Sequence, residues 1–238
     1  MKKVEIGDAT LYLVDCVEYM KTVPDKFFEL AIVDPPYGID AANVLSGPRR
    51  KSGNGAAMKT SFDKKDWDKS VPDKEYFDQL FRISKNQIIW GANYMSNFLP
   101  PSMGWIVWDK DNGTTNFSDC ELAFSSFDRA CRKFKYTWNG MFQGDMKNKE
   151  EKIHPTQKPS KLYEWLLINY ANKGDKILDT HLGSGSHAVA SNLLGFELVG
   201  CELDKSYFEA ACKRIEQAYA QGQLFAPEPV KHIQESLL

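Results

Sequence analysis

The sequence predicts a doubly wound α/β sheet folded as one domain over residues 1–238. Short apolar runs alternate with helix-length amphipathic stretches, the pattern of successive β-α-β crossovers. Two of the runs end in an aspartate followed by a turn, at Asp34 and Asp179. The second turn, Gly183-Ser184-Gly185-Ser186, opens straight into a helix, as ligand-binding turns of such sheets do.

Residues 9–14 read as a strand ending at Asp15-Cys16, and residues 17–22 as a short helix before a Pro24-Asp25 turn. The next strand, residues 30–33, runs into Asp34-Pro35-Pro36-Tyr37-Gly38. Residues 39–75 offer little to bury and include Gly47, Gly53 and Gly55, which predicts a mobile loop that orders on a partner. Phe77, Leu80 and Phe81 then recur at helical spacing across residues 76–83. Strands are expected at residues 87–90, 105–108, 122–127 and 134–138, and an exposed charged stretch at 147–152. Ser160 is placed to cap a helix that carries Leu162, Trp165, Leu166, Asn169 and Tyr170 on one face. Residues 176–178 form a strand into Asp179, residues 188–194 a helix stopped by Gly195, and residues 197–201 the next strand. Phe208, Ala211, Cys212, Ile215 and Tyr219 form the apolar stripe of a last helix.

The block at 34–37 places a carboxylate, two backbone-stiffening prolines and an aromatic face at one strand end. A planar ring bearing an amino group could stack on Tyr37 while its NH2 donates to Asp34 and to the Pro35 carbonyl. That is a site for chemistry on the exocyclic amine of a nucleobase. The glycine turn lacks a phosphate signature: Ala188 stands where a dinucleotide site wants its third glycine, and no Gly-Lys-Ser/Thr follows. Glu202 lies 23 positions after Asp179, a separation that suits an acceptor of both ribose hydroxyls. Ribose without pyrophosphate, beside a carboxylate that can hold an ammonium, points to S-adenosylmethionine.

With 42% hydrophobic residues, the chain can bury one sizeable core. No apolar run approaches the roughly 20 residues of a membrane span, and neither end reads as a signal peptide. The five cysteines are odd in number and show no C-x-x-C pair, so neither a disulfide framework nor a metal site is expected, and a reducing cytoplasm is. The net charge of −2 provides no overall attraction for phosphate. Local clusters do occur, at Arg49, Arg50, Lys51, Lys59, Lys64 and Lys65, and again at Arg129, Arg132, Lys133 and Lys135. From charge alone these read equally well as solvated surface.

Three blocks in order resemble the β-class amino-methyltransferases of DNA. They are Asp34-Pro35-Pro36-Tyr37, His154-Pro155-Thr156-Gln157-Lys158-Pro159, and the stretch from Asp179 to Ser186 with Glu202 behind it. Trp90-Gly91-Ala92-Asn93-Tyr94 and Trp108-Asp109-Lys110 resemble the small phage and prophage members. The resemblance covers nearly the whole chain except roughly residues 40–75 and the C-terminal tail. One departure is Thr180-His181, where the family usually has Pro-Phe. A second is size, which leaves little room for a large target-recognition domain.

The resemblance implies a Rossmann-like methyltransferase sheet with a circularly permuted motif order, the last strand and helix returning beside residues 11–14. It implies Asp34, Pro35, Pro36 and Tyr37 as catalytic. Donor contacts would come from Asp15, Cys16, Lys158, Ser160, Asp179, Gly183, Ser184, Gly185, Ser186, Glu202 and Leu203. Double-stranded DNA would be the partner; the basic cluster in the 39–75 segment, outside the resemblance, offers Arg49, Arg50, Lys51 and Lys59 as its expected contacts, with target recognition expected within 128–152 and a homodimer left open. Adenine is the expected base, because Asp at the head of this tetrapeptide usually accompanies adenine and Ser cytosine. The base must leave the duplex to reach such a pocket, and Tyr37 is expected to stack on it. Rival readings are N4-cytosine methylation, methylation of RNA or of a protein glutamine, a catalytically silent DNA-binding partner, and a nicotinamide-dependent oxidoreductase.

Overall fold

The protein is described by a computed structural model covering residues 1–41, 65–113, 118–139 and 142–224. Arg49, Arg50, Lys51 and Lys59, with most of the 39–75 segment, lie outside the described residues. The chain opens with a hairpin that sequence reading missed, β1 (Lys2–Ile6) antiparallel to β2 (Ala9–Leu13). Helix α1 (Cys16–Lys21) follows, capped by Asp15, whose carboxylate accepts from the amides of Val17 and Glu18. Strand β3 (Phe28–Val33) leads into the Asp-Pro-Pro-Tyr block, and α2 (Lys74–Ile83) leads into β4 (Ser84–Trp90). Strands β5 (Ile106–Asp109), β6 (Cys120–Ser125) and β7 (Arg132–Lys135) come next, then a small ladder of β8 (Trp138–Asn139) and β9 (Phe142–Gln143). The last third is α3 (Ser160–Tyr170), β10 (Lys176–Asp179), α4 (Ser186–Leu194), β11 (Glu197–Glu202) and α5 (Lys205–Leu224).

Among the described residues, nine strands make one sheet in the order β1-β2-β11-β10-β3-β4-β6-β5-β7. The strands from β2 to β4 run parallel, β6 is antiparallel to both neighbours, and β1 is antiparallel at the edge. Alternation along β3 sends Leu30 and Ile32 to one face and Ala31 and Val33 to the other. The first face is covered by α3, α4 and α5, whose Leu162, Leu166, Ala188, Phe208 and Ile215 are buried there. The second is covered by α1 and α2 through Met20, Tyr76, Phe77, Leu80 and Ile83.

The expected return of the chain is present: Leu198 to Glu202 of β11 pair in parallel with Ala9 to Leu13 of β2. Strand order reverses between β10 and β3, so a crevice opens there at the carboxyl ends, where α/β sheets bind ligands. One expectation is corrected. Pro159, not Ser160, holds the N-cap position of α3; the Ser160 hydroxyl donates instead to Glu150, which Arg214 also binds.

Candidate active site

A cleft of roughly 440 Å³ lies at this reversal point, within the size range of small-molecule sites. Its walls come from the ends of β2, β3, β10 and β11, the segment before α3, and residues 65–67. Among the expected residues, Asp15, Cys16, Asp34, Pro36, Lys158, Gly183, Ser184, Ser186, Glu202 and Leu203 line it. Lys65, Trp67, His154 and His181 line it as well and were not assigned to the donor.

On the side of the glycine turn the backbone makes the shape. Gly183 and Gly185 take positive φ of 52° and 74°. A Cβ at Gly185 would meet Ile215 at 2.8 Å, so this glycine serves helix packing and not the cleft surface. Glu202 accepts the Gly183 amide at 2.9 Å and the Asp204 amide at 2.8 Å, which ties the turn to β11. Burial pushes the Glu202 carboxyl up to about 7. Leu203, 69% exposed, sits at the rim. Asp179 faces inward: one oxygen accepts the His181 amide at 3.0 Å, and the other lies 3.2 Å from Nδ1 of buried His187. Ser160 is likewise turned away from the cleft, and Thr180 links Tyr76 to His181 through its hydroxyl. Burial holds His154 down at about 3 and His181 at about 4, so both rings are neutral.

The other side is built from side chains brought together over long sequence separations. Lys158 Nζ, with its side chain 3% exposed, lies 2.6 Å from Asp34 Oδ1 and 3.0 Å from Glu121 Oε2. It also lies 3.0 Å from the Tyr37 hydroxyl. That hydroxyl donates to Asp34 Oδ1 at 2.7 Å and reaches Glu121 Oε2 at 3.2 Å. Four groups therefore close a ring, with Lys110 bound to Glu121 from outside. Burial raises the Asp34 carboxyl above the usual carboxylate range against the pull of Lys158. Glu121 is partly buried too, which works against ionisation, yet Lys158 and Lys110 bring it down to about 2. The two carboxylates hold the Lys158 ammonium charged despite burial.

Lys158 thus differs from expectation in what it touches: it spans from the cleft wall to the Asp-Pro-Pro-Tyr block. Tyr37 differs too. Its ring stacks on Tyr94 with centroids 5.2 Å apart and planes 16° apart, so a base using that face must displace Tyr94. Gly91, at φ +66°, lets the ring in; a Cβ there would lie 2.0 Å from it. The backbone of the block is held by Asp68, 2% exposed, whose carboxylate accepts the amides of Tyr37, Gly38 and Ala41 at 2.7–2.9 Å. Glu121, Asp68 and Tyr94 were missed by sequence reading. The Gly91-to-Tyr94 block was noticed without a role, whereas Glu121 and Asp68 carry no local signal. The basic cluster on β7 is partly neutralised, Lys133 by Asp109 and Lys135 by Asp111. Residues 128–152 hold β7 and the β8–β9 ladder, and Glu150 there binds Arg214 on the side of the glycine turn.

Among the described residues, one reversed strand is inserted near the end of a mostly parallel sheet, with the cleft where strand order reverses. Solved structures agree on the fold. The M1.HpyAVI–SAM complex superposes with TM-score 0.55 at 21% identity, covering 87% of this chain and 99% of that one. The cytosine-N4-specific PvuII DNA methyltransferase superposes with TM-score 0.57 at 11% identity, covering 91% and 93%. Residues 125–213 match the DNA methylase model of the N6/N4 methyltransferase family. Type II methyltransferase M2.DpnII of Streptococcus pneumoniae is 26% identical over 85% of this chain and 87% of its own. M.HinfI of Haemophilus influenzae is 26% identical over 91% and 71%. These comparisons make the chain similar to DNA amino-methyltransferases in its residues 125–213 and, at 26% identity, over most of its length.

Proposed function

We propose that the protein transfers a methyl group from S-adenosylmethionine to the N6 amino group of an adenine flipped out of double-stranded DNA. The observation that carries this is the placement of Asp34 at the carboxyl end of β3, beside the cleft, with Oδ1 held by Lys158 and Tyr37. Among the described residues, Oδ2 takes no hydrogen bond and is left for an incoming amino group. The names of the Type II relatives support a modification role paired with restriction.

The cleft fits a cationic donor. His154 and His181 are neutral, and the Lys158 ammonium is matched by Asp34 and Glu121. Glu202 would hold the ribose hydroxyls, Leu203 would cover the adenine from the rim, and the Gly183–Ser186 turn would seat the methionine end. Asp179 would act by bracing that turn from beneath, through the His181 amide. When bound, the donor supplies a methyl group activated on a sulfonium.

The chain's own residues then do the rest. Asp34 and the Pro35 carbonyl accept the two amino hydrogens, favouring the pyramidal nitrogen whose lone pair attacks. Both acceptors bind more tightly as positive charge grows on nitrogen, which is the condition for lowering a barrier. The two prolines and Asp68 fix where these acceptors stand. Arg49, Arg50, Lys51 and Lys59 are proposed phosphate contacts, and residues 128–152 the target-recognition segment. The PvuII enzyme shows that this fold also serves cytosine, so the base rests on Asp34. Incubation with labelled S-adenosylmethionine and duplex DNA, digestion to nucleosides and chromatography should give N6-methyladenine. N4-methylcytosine alone, or label only in RNA or protein, would overturn the reading.

A further inference from the structure

We propose that Glu121 is a positioning residue for methyl transfer: it draws the Lys158 ammonium partly off Asp34, so that Asp34 stays both ionised and basic enough to take the amino proton. The inference rests on the adenine reading above and deepens it. Sequence reading placed Lys158 at the donor and did not notice Glu121.

The geometry sets up a competition. A single buried ammonium is shared by two carboxylates, at 2.6 Å from Asp34 and 3.0 Å from Glu121. Without Lys158, the partly buried Asp34 would be driven toward its neutral acid, which cannot take up the amino proton. With Lys158 bound to Asp34 alone, the carboxylate would be ionised and too weak a base to be useful. Glu121 resolves this by taking part of the ammonium, and Lys110 in turn anchors Glu121 from the solvent side. Among the described residues, the other titratable groups whose charge is felt at Asp34 include Tyr37 of its own block, Tyr76 on α2 and Tyr163 on α3, all kept neutral by burial.

In the step itself, the nitrogen–methyl bond forms as the sulfur–methyl bond breaks. The nitrogen, now positively charged, releases one of its two protons to Asp34 Oδ2. Ammonium and Glu121 then tighten on each other as the charge on Asp34 is cancelled, so the pair compensates the lost interaction. Of the two carboxylates, Asp34 is the one whose environment leaves it ready to bind a proton; Glu121 stays ionised.

The test is the pH dependence of single-turnover methyl transfer in three full-length variants, each checked for folding by thermal melt and for donor affinity by calorimetry. Glu121→Gln removes a negative charge from beside Asp34, so the acid limb should move to lower pH by about one unit, with the plateau rate about tenfold lower. Lys158→Met removes the positive charge, so the limb should move to higher pH. Lys110→Met releases Glu121 on its solvent side and frees it to pull harder on Lys158, so the limb should move upward by less; this variant keeps the proposal open to test if Glu121→Gln fails to fold. Donor affinity should change less than about threefold in Glu121→Gln. Equal losses of rate with an unmoved limb, or shifts of the same sign for Glu121→Gln and Lys158→Met, would overturn the proposal. A wild-type enzyme that methylates no adenine would instead sink the reading on which it rests.

Discussion

The two halves of the cleft are made by opposite means. The half proposed to hold the donor is backbone: a glycine turn between β10 and α4, amides received by Glu202, and neutral rings along the wall. The half proposed to hold the base is side chains: Asp34 and Lys158 line the cleft and meet Tyr37 and Glu121 behind it, from strands β3 and β6 and the segment before α3. A surface shaped by backbone tolerates side-chain change. Two carboxylates around a buried ammonium do not, because removing one partner leaves the others uncompensated.

Variants should therefore separate the halves. The largest effect is expected at Asp34→Ala, about a thousandfold loss of transfer rate with donor affinity within about threefold, read by single-turnover assay and calorimetry. Loss of donor binding instead would merge the two halves into one. Gly91→Ala comes next. Its Cβ would collide with the Tyr37 ring, and displacing that ring by about 1 Å should lower the rate by roughly 30- to 100-fold while the donor still binds. Asp68→Asn keeps the size but removes the charge that receives three amides, and should cost about tenfold in rate with a lowered melting temperature.

How far these halves could be read from the sequence follows the same division. On the side of the glycine turn, the strand–turn–helix–strand order of Asp179, the turn and Glu202 was legible because spacing marks it locally, whereas the inward turn of Asp179 and the packing of Gly185 against Ile215 were not. The return of β11 beside β2 was legible for a related reason: apolar runs and turn residues mark each element locally. The base half was legible only at Asp34 to Tyr37. Nothing near Glu121 announces that it will face Lys158, since that meeting depends on β6 entering the sheet antiparallel between β4 and β5. Asp68 was hidden for the same reason, as its three amide partners lie about 30 residues earlier. The hairpin strand β1 was missed because Lys2, Lys3 and Glu5 dilute its apolar signal at a sheet edge. Ser160 was misread as a cap because Pro159 already takes that position and Glu150 claims the hydroxyl.

The smaller predictions sharpen the donor half and the approach of DNA. Burial puts the Glu202 carboxyl at about 7, above its ordinary value, so protons compete with ribose as pH falls through neutrality. Donor affinity should be about tenfold weaker at pH 6 than at pH 8, following the ionised fraction, and Glu202→Gln should flatten that dependence. Arg49→Ala, Arg50→Ala and Lys51→Ala together should reduce the slope of log affinity against log salt by about one for each phosphate no longer neutralised, without changing which base is methylated.

The relation between the halves is tested most directly by a crystal structure of the protein with S-adenosylmethionine bound. The ribose should lie on Glu202 and the donor's methyl group should face Asp34 across the crevice, with Lys158 still bridging Asp34 and Glu121. A donor seated in the cleft with Asp34 and Tyr37 turned away from its sulfur would contradict the division of labour between the two halves.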